Sequence, residues 1–222
     1  MGAEWFKLAS MSKCFIGGVG STGSWLAFNL ARMVDHITII DMDTVEAENL
    51  GGQFYGQEAI NKTKVSALHS QLLNYAPDCT IRPINQRFVK TNLKILLPYT
   101  FSCFDSMASR KDLLEAWETE YGYNQDALFM DCRLGFDFYQ IFCVKSENIE
   151  QYKETLFDDA LIPDSPCTVK NNTFVSMAAA AHMAAFFANH LANIQAGKQV
   201  CMVPFFKEVN LAYNLENNEY SR

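Results

Sequence analysis

The sequence lacks the cysteine spacings of a zinc or disulfide scaffold. Its seven cysteines include no Cys-x-x-Cys pair, and an odd number of them cannot all be paired within one chain. A structural zinc site built from paired cysteines is therefore not expected. An odd count without close pairs is typical of proteins in a reducing compartment, so we expect the protein to be cytoplasmic.

Two further absences exclude classes of partner. No run of Lys and Arg residues is present and the formal net charge is −7, which argues against a nucleic-acid-binding surface. The most apolar run, at 174–188, is shorter than the roughly 20 residues that a membrane span needs. It contains His182 and predicts a buried helix. The N-terminus carries no apolar segment of signal-peptide length. We expect neither nucleic acid nor a membrane as a partner.

Strands and helices alternate over the first half of the chain. The apolar pattern predicts strands at 13–17, 36–40, 79–88 and 100–105 and helices at 21–34, 62–75, 93–97 and 109–121. The remainder predicts two linked strands in 127–144, helices at 149–156 and 173–195, a last strand or strand pair in 200–215 and a tail at 217–222. Pro83 restricts its strand to a sheet edge or a bend. We expect an α/β fold with a doubly wound, mostly parallel sheet in one domain, 1–222.

The first strand–helix junction carries a glycine-rich turn. Gly18, Gly20 and Gly23 fit the pattern G-x-G-x-x-G between a strand and a helix, where backbone N–H groups can approach phosphate oxygens. Asp41 closes the second strand about 20 residues further on, where a carboxylate can accept hydrogen bonds from ribose hydroxyls. These residues predict a nucleotide site, and an NAD-linked oxidoreductase would share them.

The residues that follow distinguish adenylation from dinucleotide binding. The stretch 41–53 reads DMDTVEAENLGGQ, and a lysine follows at position 64. This pattern resembles the D-x-D-x-V-x-x-x-N-L-x-R-Q loop and later lysine of the ThiF/MoeB family and of the adenylation domains of ubiquitin-activating enzymes. The matching residues are Asp41, Asp43, Val45, Asn49, Leu50, Gln53 and Lys64.

A second segment, CFDSMASR, resembles the D-N-x-x-x-R motif of the same family at Asp105, Ser106 and Arg110. The resemblance implies that Lys64 neutralises the phosphates of ATP and that Asp105 holds Mg²⁺ through its waters. It also implies that Asn49 and Gln53 orient the phosphates and the ribose. Asp43 and Ser106 complete the implied nucleotide-binding set, and no zinc is expected.

Cys167 lies in the stretch SPCTVKNN before the long C-terminal helix. This stretch is similar to the segment around the catalytic cysteine of eukaryotic ubiquitin-activating enzymes, which implies that the thiol accepts an acyl group as a thioester. Lys170 and the N-terminus of the following helix would favour the thiolate. A small buried cysteine at a loop–helix junction is the alternative.

The resemblance implies an ATP-dependent adenylyltransferase. Its substrate would be the C-terminal carboxylate of a small ubiquitin-like or sulfur-carrier protein, and its assembly a homodimer. The chain looks most like the small stand-alone bacterial or viral members. Two positions depart from the family pattern, since Gly51 and Gly52 stand where the loop has x-Arg and Phe15 replaces the first glycine. These departures leave open a catalytically deficient nucleotide-binding or scaffold protein, and an NAD-linked oxidoreductase is the less favoured alternative.

Overall fold

The computed structural model describes residues 4–161 and 172–220, and its strands form one eight-stranded sheet. The strand order is β3-β2-β1-β4-β5-β6-β7-β8. The strands are β1 Lys13–Gly17, β2 His36–Asp41, β3 Thr80–Asn85, β4 Tyr99–Ser102, β5 Leu128–Leu134, β6 Phe138–Val144, β7 Phe206–Asn210 and β8 Leu215–Glu219. The α-helices are α1 Glu4–Ala9, α2 Ser21–Ala31, α3 Lys64–Leu72, α4 Met107–Tyr121, α5 Ile149–Lys153 and α6 Thr173–Ala196.

The first five strands are parallel, as the alternation of strands and helices predicts. β1 and β2 are buried along almost their whole length because helices cover both faces of this part of the sheet. β3 lies at the edge, where Pro83 costs no ladder hydrogen bond to a further strand. The mostly parallel, Rossmann-like α/β fold is therefore confirmed.

The helices divide between the two faces of the sheet. Side chains of α2, α3 and α6 share one core cluster with Cys14 and Ile16 of β1, whereas α4 and α5 pack with Phe15 on the other face. The strand order reverses at β1, which has β2 on one side and β4 on the other. The helices that follow β1 and β4 therefore separate to opposite faces and open a crevice at the carboxyl ends of these strands.

The last three strands are antiparallel and extend the sheet beyond β5. β5 and β6 form the predicted pair of linked strands, and β7 then pairs with both β6 and β8. The expected polar tail at 217–222 is wrong in its first part, since β8 includes residues as far as Glu219. An ion pair between Lys207 Nζ and Glu216 Oε2 at 2.7 Å helps to hold this exposed strand in register.

α6 is the long alanine-rich helix that the sequence predicts. Among the residues that the structure describes, it is the one helix long and apolar enough to cross a membrane on length and composition alone. More than half of its most apolar stretch (56%) is buried inside the protein. Its small residues Ala179, Ala180 and Ala184 are buried in the core cluster with α2, which is the environment of a core helix.

Candidate functional site

The loops after β1 and β4 meet at the crevice between these strands. Cys103 N–H donates to the Gly17 carbonyl at 2.7 Å, so the chain after β4 runs beside the glycine turn. β4 ends at Ser102 and not at Asp105, because the following residues turn to place Phe104 against Gly17. A Cβ on Gly17 would lie 2.6 Å from the Phe104 ring. The glycine turn and the segment that carries Asp105 therefore share one edge of the sheet.

The three predicted glycines differ in what a side chain would meet at each position. Gly18 has a φ of +82°, and a Cβ there would lie 2.8 Å from the Cys103 carbonyl oxygen. A Cβ on Gly23 would lie 1.9 Å from the Gly18 carbonyl oxygen, so Gly23 allows α2 to pack closely on the turn. At Gly20 no described atom lies within 4 Å of the Cβ position. Only the open space at Gly20 is unexplained by the fold, and it suits a bound group.

Two side chains hold Val19, the residue at the centre of the turn. Asp41 Oδ2 accepts from Val19 N–H at 2.8 Å, and Tyr55 Oη donates to the Val19 carbonyl at 2.7 Å. Burial raises the pKa of the Asp41 carboxyl, while the charge of Lys64 and the N–H groups of Asp43 and Val19 lower it. Asp41 thus has a structural role that the ribose prediction did not include.

Lys64 lies where the sequence predicts, at the first position of α3. Its side chain is 10% exposed, and its Nζ contacts Asp43 Oδ2 at 2.8 Å. Asp43 is connected in turn to Asp41, whose Oδ1 accepts from Asp43 N–H at 2.9 Å. The three residues form a chain of charges that ends at the glycine turn. A nearly buried ammonium beside this turn can act on phosphate oxygens as a point charge.

The loop after β2 presents Asn49 and Gln53 near the same edge. Asn49 Oδ1 accepts from Glu46 N–H at 2.9 Å and so caps the short 3-10 helix Ala47–Gly51. This hydrogen bond does not use the NH₂ group of the Asn49 side chain, which carries two donors. Gln53 Oε1 is buried without a hydrogen-bond partner among the described residues. Such an atom is costly unless a ligand or water satisfies it. The orphaned oxygen fits an acceptor for a ribose hydroxyl.

Gly51 and Gly52, which replace the family's x-Arg, are held by their backbone. Thr173 Oγ1 donates to the Gly51 carbonyl, and Trp25 Nε1 donates to the Gly52 carbonyl at 3.1 Å. Phe54, which follows the two glycines closely, packs its ring 4.8 Å from that of Trp25. The loop is therefore anchored to α2 and α6 even though no cationic side chain stands at position 52.

Asp105 and Ser106 precede α4. Asp105 is exposed and follows the end of β4 by three residues. Ser106 is the N-cap of α4, and the Ser106 Oγ accepts from Ser109 N–H at 3.2 Å. Ser106 thus stabilises the helix start in addition to any contact with a nucleotide. Within 4–161 and 172–220 no group of three or more His, Cys, Asp or Glu residues is placed to hold a metal ion.

Arg110 lies one turn into α4 and points inward. It forms an ion pair with Asp131, which is fully buried in β5 and also contacts Arg133 Nε at 3.0 Å. The Arg133 guanidinium then reaches Thr155, donating to its carbonyl at 3.0 Å and to its hydroxyl at 2.9 Å. This network joins α4 and β5 to the segment after α5 beneath the Asp105 loop.

Four of the described cysteines are buried and are poor nucleophiles. Burial raises the pKa of the Cys79 thiol to about 11 and that of Cys132 to about 12, so both stay protonated at neutral pH. Cys14 and Cys143 are buried as well. Cys167, the candidate thioester residue, lies outside the described residues.

The structure brings together part of the residues that the sequence predicts. Asp41 contacts the glycine turn directly, and Asp43 and Lys64 are linked to the turn through Asp41. On the other side of β1, Cys103 and Phe104, which precede Asp105, contact Gly17. Sequence reasoning missed Tyr55 and Arg133. The only signal for Tyr55 was its place two residues after Gln53. Arg133 gave no signal, because Thr155, to which it donates, is distant in the chain.

The family model described as the ThiF family matches residues 2–123. The match includes the glycine turn, the loop after Asp41, Lys64, Asp105 and Ser106, and it covers more than half of the 222 residues. No protein with a curated description matches the sequence.

Solved structures share the fold along nearly the whole chain. Escherichia coli MccB in a structure with ATP has a TM-score of 0.71 and 16% identity, and PaaA has a TM-score of 0.73 and 15% identity. In both comparisons 98% of this chain aligns with 66% of the other, so the chain spans just under two thirds of their length. These likenesses concern the fold, whereas the family match covers the motif-bearing half. The chain belongs to the ThiF family.

Proposed function

We propose that the protein is an ATP-dependent adenylyltransferase. Its substrate would be the C-terminal carboxylate of a small ubiquitin-like or sulfur-carrier protein, or of a peptide. The observation that carries the proposal is the series of contacts that joins Lys64, Asp43 and Asp41 to the open glycine turn. The exposed Asp105 follows β4, the strand next to β1, at the same edge of the sheet.

The residues present fit a nucleotide. The open space at Gly20 allows a phosphate to approach the turn, and the N-terminus of α2 has no side-chain cap among the described residues. Gln53 Oε1, which has no partner among the described residues, suits a ribose hydroxyl, and the amide donors of Asn49 suit a phosphate. Gly18 and Gly23 shape this cradle, and Lys64 supplies the positive charge at its side.

Asp105 would hold Mg²⁺. Magnesium keeps several waters and is often bound by one or two carboxylates together with substrate phosphates, so a single exposed carboxylate is sufficient. Ser106 fixes the position of this carboxylate by capping α4. The ion and Lys64 would together neutralise charge on the leaving pyrophosphate.

The reaction needs few groups from the protein. An oxygen of the substrate carboxylate attacks the α-phosphorus of ATP, the bond between this phosphorus and the bridging oxygen breaks, and pyrophosphate leaves with that electron pair. The carboxylate is already deprotonated at neutral pH, so no general base is required. Positioning and charge neutralisation by Lys64 and Asp105 therefore account for the catalytic part of the site.

The nature of the acid substrate rests on related proteins and on the chain's motifs. MccB has been solved in complex with N-formylated MccA, which makes a small polypeptide a reasonable class to test first. Transfer of the acyl group to Cys167, a homodimeric assembly and a cytoplasmic location complete the proposal.

A scaffold protein that binds nucleotide without adenylating anything is the second candidate. The glycines at 51 and 52 favour it, because the family's arginine at this place adds a positive charge near the phosphates. Charges of this kind can change a phosphoryl-transfer rate by orders of magnitude.

ATP–pyrophosphate exchange with candidate carrier proteins and peptides separates these possibilities. We expect exchange in the wild type and its loss in Lys64→Ala and Asp105→Ala. Lys13→Ala and Asp78→Ala are matched controls, since both residues are exposed at the opposite edge of the sheet and should leave exchange unchanged. ATP binding without exchange would support the scaffold, and preferential binding of NAD would refute both.

The thioester step has its own test. A conjugate between the chain and the activated acid that is cleaved by thiols should disappear in Cys167→Ala, while exchange persists. A thiol-sensitive conjugate that remains in this variant would refute the role of Cys167.

A further inference from the structure

We propose that Asp159 is a positioning residue for adenylation, and this proposal rests on the proposed function. Its carboxylate closes the N-terminus of α4, the helix that directly follows Asp105. Oδ1 of Asp159 accepts from Met107 N–H at 2.7 Å, and Oδ2 accepts from Ala108 N–H at 3.1 Å. These two hydrogen bonds span more than 50 residues of sequence and are called here the Asp159 cap.

The Asp159 cap completes the start of α4. The first N–H groups of a helix have no acceptor within the helix. Asp159 satisfies the first two, and Ser106 Oγ satisfies that of Ser109. A carboxylate at this end is also favoured by the helix dipole, and hydrogen bonds to a charged acceptor are stronger than neutral ones. Asp105 and Ser106 directly precede Met107. By fixing the start of α4, the Asp159 cap therefore fixes the backbone next to Asp105, the candidate metal ligand.

A second connection ties the same segment to α4. Thr155, four residues before Asp159, accepts two hydrogen bonds from Arg133, which is paired with buried Asp131. Asp131 is also paired with Arg110 of α4. The segment 155–159 is thus fastened to the first two turns of α4 on two sides. Two separate sets of contacts therefore hold this segment against α4.

The cap also distinguishes two helix ends at one edge of the sheet. Both α2 and α4 begin at the carboxyl ends of adjacent parallel strands, where each could attract an anion. α2 begins at Gly20 without a side-chain cap, whereas Asp159 already occupies the N–H groups of α4. Phosphates are therefore directed to α2, and the end of α4 is reserved for presenting Asp105.

The test compares Asp159→Ala with Asp158→Ala. Asp158 is a matched control, since its carboxylate accepts only from Ala160 in its own turn among the described residues. In ATP–pyrophosphate exchange, Asp159→Ala should lower kcat roughly tenfold or more through misplacement of Asp105. The KM for ATP should stay within about twofold, because the phosphates lie on α2. Asp158→Ala should match the wild type in both constants.

Asp159→Asn provides rescue by a conservative change. Its amide oxygen can still accept one of the two hydrogen bonds but carries no charge, so we expect a kcat between those of the wild type and Asp159→Ala. This variant also carries the test if Asp159→Ala does not fold. If the control Asp158→Ala lost as much kcat as Asp159→Asn, the loss would not be specific to the Asp159 cap, and the proposal would be overturned.

Amide hydrogen exchange by NMR tests the cap without turnover. The amides of Met107 and Ala108 should lose protection in Asp159→Ala and keep it in Asp158→Ala. Lost protection with unchanged kcat and KM would show a plain helix cap and overturn the positioning role alone. Absence of exchange activity in the wild type with every candidate acid would refute the proposed function instead.

Discussion

Alanine substitutions at Gly20 and Gly23 should separate the part of the glycine turn that serves the fold from the part that serves a ligand. A Cβ at Gly23 would lie 1.9 Å from the Gly18 carbonyl oxygen, so α2 must move away from the turn. Such overpacking costs about 1–3 kcal/mol or more. A Cβ at Gly20 meets no described atom within 4 Å. We expect Gly20→Ala to lower the free energy of unfolding by less than Gly23→Ala does.

Gly20→Ala should weaken ATP binding strongly, although it should destabilise the fold less than Gly23→Ala does. In Gly20→Ala the added methyl group fills the space through which a phosphate approaches the turn, so ATP should bind at least about tenfold more weakly, a loss of about 1.4 kcal/mol. Urea unfolding gives the stability of both variants, provided that the m-value is unchanged, and isothermal titration calorimetry gives the affinity of Gly20→Ala. An unchanged affinity in Gly20→Ala would refute the phosphate cradle. Equal stability of the two variants would refute the packing role of Gly23.

Three further predictions concern buried polar groups. Tyr55→Phe leaves the Val19 carbonyl without its donor and should lower the free energy of unfolding by about 1–3 kcal/mol. The control Tyr75→Phe changes an exposed ring and should leave the stability unchanged. Urea unfolding compares the two variants. Asp131→Ala removes the carboxylate that pairs with buried Arg110 and with partly buried Arg133, and it should cost about 3–5 kcal/mol by the same measurement. Burial lowers the pKa of His190 below its ordinary 6.5. The native state then binds fewer protons than the unfolded state, so stability should fall as the pH drops below about 6.5, and less steeply in His190→Gln.

These predictions have distinct contradicting results. A Tyr55→Phe variant as stable as Tyr75→Phe would show that the hydroxyl does not hold the turn. An Asp131→Ala variant of wild-type stability would show that the arginines find other partners. The same pH dependence with and without His190 would place the acid sensitivity elsewhere.

Part of the site was readable from the sequence because its signals are local. The glycine spacing, the β-branched strand that ends at Asp41 and the lysine at the start of α3 each depend on neighbours a few residues away. Pro83 restricted its strand to an edge or a bend for a local reason as well, since a residue without an N–H cannot serve a central ladder. The family resemblance depends on the order in which these signals occur along the chain, and a single signal does not carry that information.

Other features were misjudged where local pattern and packing disagree. The strand predicted to reach Asp105 ends at Ser102, because Phe104 must turn onto Gly17, and this contact depends on a glycine far away in the chain. The polar residues up to Glu219 form a strand because they pair with β7, although their own composition favours a tail.

By itself the sequence determined the class of fold, the place of the glycine turn and the identity of the charged residues that follow it. Apolar periodicity, glycine sterics and strand–helix order act over short distances and therefore remain visible in one dimension. The tertiary structure alone decided that Asp41 and Tyr55 hold the turn, that Lys64 is paired with Asp43 and that Asp159 caps α4. Each of these contacts joins segments about 20 to 50 residues apart, and only packing of the two faces of the sheet brings them within hydrogen-bond distance.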